Sequence, residues 1–165
     1  MRRRNGMVFG AAVCLALLSV RCAGPRQLPA LAKPAGVEVD GAGPLLVKVS
    51  GMEKRSLRAE ELSPPTAAGF LWEYRVTITN PTGTAVNLDR LRLTVQNLWG
   101  GSWPGDQPVN LTVHGGSDGQ VTVQARLASS DPTDRPGLSG VETVTFLGRR
   151  ADGTPISFTI RVPLD

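Results

Sequence analysis

A chain of 165 residues holds one domain plus whatever targeting segment it carries. With Gly 19, Pro 13 and only 5% aromatic residues, it fits many short strands and turns better than packed helices. The formal charge of +4 misleads, because four of the 18 Lys and Arg (Arg2, Arg3, Arg4, Arg21) stand at the N-terminus; the remaining 14 balance 14 Asp and Glu, which leaves no net basic surface for nucleic acid.

Arg2 to Arg4 form a charged n-region, and Met7 to Val20 is an apolar run whose one polar residue is Ser19. Fourteen residues are short of the ~20 that a membrane span needs, and they fit the h-region of an export signal over residues 1–21. Ala23 to Gly43 is broken by Gly24, Pro25, Pro29, Pro34, Gly36, Gly41 and Gly43, so residues 22–43 read as a tether ahead of a domain over 44–165. The two cysteines, Cys14 and Cys22, both precede that domain, so it must stand on its apolar core without a disulfide.

The run Leu17-Leu18-Ser19-Val20-Arg21-Cys22 resembles the lipobox of bacterial lipoproteins, with Arg21 where that family has a small residue. The resemblance implies that Cys22 becomes the first mature residue, carries lipid and is the partner of the membrane. Ala23 after it implies the outer membrane, facing the periplasm. Two other outcomes stay open: cleavage after Ala32, in the small-x-small run Ala30-Leu31-Ala32, with release, or retention by an uncleaved anchor.

Within the domain, Leu45, Val47 and Val49 predict a first strand. Gly51 to Gly69 is charged and reads as a solvated excursion, or as one or two helical turns over 56–62 with Ser56 as N-cap. Trp72, Tyr74, Val76 and Ile78 alternate with polar residues, the period of a half-buried strand. Asn80-Pro81-Thr82-Gly83 then turns the chain. Val86 and Leu88 are out of step with Leu91, Leu93 and Val95, which predicts a bulge or bend at Asp89-Arg90. Further strands are expected at Val109–Val113, Val121–Leu127, Val144–Phe146 and Ile156–Val162, with hairpin signals at Gly115–Gly119 and Asp152-Gly153.

Seven such strands predict an all-β, two-sheet sandwich. Val76 to Gly83, Gly115 to Val123 and Asp152-Gly153 resemble the immunoglobulin-like domains of bacterial envelope proteins over roughly 70–165. That resemblance implies a display or interaction module and names no ligand.

Gly115-Gly116-Ser117-Asp118-Gly119 matches G-x-S-x-G beside His114, the one histidine, but a nucleophile elbow needs a helix after the serine and a strand follows here. Asp131, Asp134, Asp106 and Asp118 offer loop oxygens for calcium without a D-x-D-x-D-G run. Asn110-Leu111-Thr112 has the glycosylation form but falls on an expected strand. No enzyme chemistry, cofactor or metal is therefore expected. The distinctive feature is Trp99 and Trp103 in the Gly-rich loop expected over 98–105. Exposed tryptophans there would anchor an envelope protein or stack on a polysaccharide; folded back, they would plug the end of the sandwich.

Overall fold

The computed structural model describes residues 35–62, 68–97, 101–129 and 139–165. The leader, Cys22, the first part of the tether, Trp99, Asp131 and Asp134 lie outside them. Eight strands follow in chain order: β1 (Glu38–Asp40), β2 (Leu46–Ser56), β3 (Ala68–Asn80), β4 (Val86–Asn97), β5 (Ser102–Val113), β6 (Ser117–Ser129), β7 (Gly140–Arg150) and β8 (Pro155–Leu164). They form two antiparallel sheets, β1-β8-β7-β4-β5 and β2-β3-β6. The expected all-β class and paired sheets are therefore present.

The alternation does the folding. Tyr74, Val76 and Ile78 of β3, with Val121 and Val123 of β6, pack against Val86, Leu88 and Leu91 of β4, Val144 and Phe146 of β7, and Phe158 and Ile160 of β8. Phe146 and Phe158, opposite each other in register, stack with ring centroids 4.6 Å apart. A smaller cluster of Trp72, Val95, Ala125, Leu127 and Leu164 closes the other end. There the Trp72 indole N–H donates to the Asp165 carbonyl at 2.9 Å.

The register shift predicted from the Val86–Val95 parity occurs between Leu88 and Arg90. One extra residue on β4 turns Val86, Leu88, Leu91 and Val95 onto the same buried face. Asn80 ends β3 fully buried and uses its amide completely: Nδ2 donates to the Thr84 and Val113 carbonyls, and Oδ1 accepts from Thr82 N–H and hydroxyl. That turn carries the chain from one sheet to the other, so β3 and β4 are not a hairpin.

Three details depart from the sequence reading. β1 lies within the stretch read as tether and pairs with β8, Val39 opposite Ile160. Ser56 is not an N-cap but the last residue of β2, opposite Phe70; a single 3₁₀ turn spans Ala59–Glu61 with Arg58 at its N-cap. Glu61 closes that turn by accepting from Arg58 N–H at 2.8 Å and from both terminal nitrogens of Arg55 at 2.7 Å. β5 begins at Ser102, well before Val109, so Trp103 is a strand residue and not a loop residue.

Candidate functional site

The two sheets differ in width, and the mismatch opens a seam. β5 is the outer strand of the wider sheet and β6 the outer strand of the narrower one. Pro104 and Pro108 lie on β5, where proline is tolerated because an outer strand needs no hydrogen bonds on its free side. Trp103, Gly105 and Gln107 stand opposite Val95, Leu93 and Leu91, so they share the inward face. Gly105 contributes no side chain there, and a Cβ added to it would meet only Leu93, at ordinary contact distance.

A cleft of about 330 Å³ occupies this seam, lined from β4 and β5 by Leu93, Val95, Trp103, Pro104 and Gly105 and from β6 by Gln124, Arg126 and Ala128. That volume lies in the range of small-molecule sites. Trp103 is 43% exposed, so it does not plug the sandwich. Its indole is held over the β4–β5 hairpin, where a Cβ on Gly101 would lie 2.7 Å from its ring. Asn97 closes that hairpin, its Oδ1 accepting from Gly101 N–H at 2.7 Å and its N–H donating to the Gly101 carbonyl.

The remaining wall residue is Glu142 of β7, which is 0% exposed. Val95 and Val162 flank it in register, so its neighbours along the sheet are apolar. The Tyr74 hydroxyl donates to Oε2 at 2.6 Å, while Oε1 has no hydrogen-bond partner among the described residues. Burial pushes the carboxyl up to about 7, against the opposing pull of the Tyr74 hydrogen bond. Burial, and then the neighbouring Glu142 charge, raises the Tyr74 phenol far above its ordinary range, so it stays a donor. An acidic group with one unused oxygen against an apolar cleft is a chemical feature that packing does not require.

Sequence reasoning singled out Trp103 as a loop residue, without the cleft it lines, and missed Glu142. The signal was present: Val144 and Phe146 point inward, and Glu142 continues their alternation by one step. Gln124 and Arg126 fall on β6 positions that read as solvent-facing; the Gln124 amide donates to Glu73 at 2.6 Å across the outer face.

The other candidates are not brought together. The Ser117 hydroxyl donates to the His114 backbone carbonyl at 2.9 Å, and strand β6 follows at once; the turn, with Gly116 at φ +70°, carries the chain from one sheet to the other and is not the hairpin expected at Gly115–Gly119, because β5 and β6 pair in different sheets. Asp106 faces Arg92 at 4.0 Å across exposed strand surface, and Asp118 sits opposite Thr79 on β6. Among the described residues no group of three or more His, Cys, Asp or Glu could hold a metal ion. Asn110 is exposed on β5.

No family model and no curated protein matches the chain. Solved structures do: a Northeast Structural Genomics Consortium target, SoR45, is similar at 16% identity over 75% of this chain and 84% of that one, with a TM-score of 0.52. A Bordetella pertussis protein provisionally named ApaA is 17% identical over 74% of this chain and 90% of that one, with a TM-score of 0.42. The first of these likenesses concerns the fold alone.

Proposed function

We propose that this protein is an exported, envelope-anchored, non-enzymatic β-sandwich, tethered through lipid on Cys22, that offers its β5–β6 seam to an envelope protein. The observation that supports this reading is a large apolar residue left in the open: Trp103, 43% exposed beside a cleft whose other walls are formed by the core strands. Exposed tryptophan with an apolar face and a polar edge is a common anchor of interfaces. The chain crosses between sheets after β1, β3, β5 and β6, and this Greek-key order supports an immunoglobulin-like topology suited to display. A second reading, a small carbohydrate or cell-wall binder, draws on the same indole as a platform for a sugar ring. In either case the seam, not the turn at Ser117, is the working surface.

Purified protein lacking residues 1–22 separates the two. Capture of a discrete envelope protein, lost in Trp103→Ala, supports the first reading; pelleting with insoluble peptidoglycan or polysaccharide, lost in the same variant, supports the second. Unchanged binding by Trp103→Ala with an unchanged melting temperature removes both.

A further inference from the structure

We infer that the cleft between β5 and β6 is a site for a primary ammonium group on an aliphatic stem, received by the unpartnered oxygen of Glu142. The inference rests on reading the seam as the binding surface, and it names the ligand chemistry of that seam.

Three observations converge on a cation of this shape. Glu142 is wholly buried, it forms part of the cleft wall, and its Oε1 is unused while Oε2 is held by Tyr74. An ionised carboxylate only accepts hydrogen bonds, so the group that completes it must donate, and a positive donor gains most where water is excluded. Next, the β4 and β5 side of the cleft is apolar: Leu93, Val95 and Pro104 suit methylene groups, while the polar side chains Gln124 and Arg126 line it from β6. Finally, the Trp103 indole stands at the open side, and its ring face attracts a cation on the way in. A single free oxygen suits a compact ammonium better than a guanidinium, whose fork is matched by two.

The surroundings leave Glu142 as the group that titrates with binding. β3 presents Tyr74, already donating to Oε2; β4 and β8 present Val95 and Val162; β6 brings Arg126 to the rim without a hydrogen bond to Oε1. Glu73 faces the outer surface, where it accepts from Gln124. A bound ammonium therefore favours the ionised carboxyl, and the proton Glu142 held is released to solvent. With the free carboxyl near 7, affinity rises roughly tenfold from pH 6 to pH 8, while the amine stays protonated throughout.

The full-length chain in detergent is titrated with n-butylamine, with Nα-acetyl-lysine methylamide and with n-butanol, followed by the Trp103 indole N–H resonance and by calorimetry in two buffers of different ionisation heat. Saturable binding of either amine but not of butanol, tighter at pH 8 and with proton release, is expected. Tighter binding of the lysine derivative than of butylamine assigns the group to a side chain of a partner; equal or tighter binding of butylamine assigns it to free amines. Glu142→Gln keeps the size and an acceptor for Tyr74, and should weaken binding by roughly tenfold or more. Gly105→Val fills the cleft from an outer strand with room for a Cβ, and should do the same with the fold intact. Equal binding of butanol, no binding of either amine, or undiminished binding by both variants overturns the inference. If Trp103→Ala still abolishes capture of the envelope component, the display function survives that failure.

Discussion

Replacing Glu142 by glutamine should stabilise the protein at pH 8 and leave it nearly unchanged at pH 4. In the folded chain, burial moves this carboxyl from 4.5 to about 7. Between those values the folded state keeps a proton that the unfolded state has lost, so stability falls as pH rises through the window and levels off above it. A difference of about 2.5 pH units corresponds to about 3 kcal/mol. Glutamine cannot ionise, and it retains an oxygen to accept from Tyr74 at the position of Oε2. The gap between variant and wild type should therefore open from near zero to about 3 kcal/mol, or roughly 10 °C in melting temperature for a domain of this size. Urea denaturation of both proteins at pH 4, 5, 6, 7 and 8 measures it; other titrating groups cancel in the difference. A gap that stays constant with pH, or one that narrows above pH 5, would refute the placement of Glu142 as a buried carboxyl without a charged partner.

The tryptophans separate core from surface: Trp72→Ala, at 0% exposure with its indole hydrogen-bonded, should cost about 3–5 kcal/mol in denaturant unfolding, while Trp103→Ala should cost under about 1 kcal/mol. Ile78→Asp puts a charge into the main core and should abolish the cooperative melting transition seen by circular dichroism. Gly148→Ala drives a methyl into the Asn87 backbone carbonyl on the neighbouring strand, so it should lower expression and melting temperature far more than Gly83→Ala, which meets nothing. Fatty-acid labelling should be present in wild type and absent in Cys22→Ser; equal label in both would remove the lipid anchor.

Much of this fold was legible because the alternation carries it. The slip between Leu88 and Leu91 located a bulge, and Asn80 to Gly83 located a turn, though not that the turn crosses from one sheet to the other. What escaped has physical causes. Pro104, Gly105 and Pro108 look like strand breakers, so the sequence marks β5 only from Val109, yet an outer strand tolerates them. The second half of β2 is charged, so the sequence marks that strand only to Val49; it is an outer strand too, and Gly51 at φ +64° accommodates the extra residue between Ser50 and Glu53. β1 has three residues, too few for any period to show. The site was half legible: a tryptophan among glycines draws notice, whereas a glutamate at an inward position reads as surface until the strand opposite supplies Tyr74.

The central claim is that the seam beside Trp103 meets another envelope component in the living cell. A photo-crosslinking amino acid at Arg126, on the rim of the cleft, tests it directly when compared with the same residue at Lys48 on the exposed outer strand β2. A discrete adduct from position 126 that is missing from position 48 is the predicted result. No adduct at 126, or the same adduct at both, would contradict it.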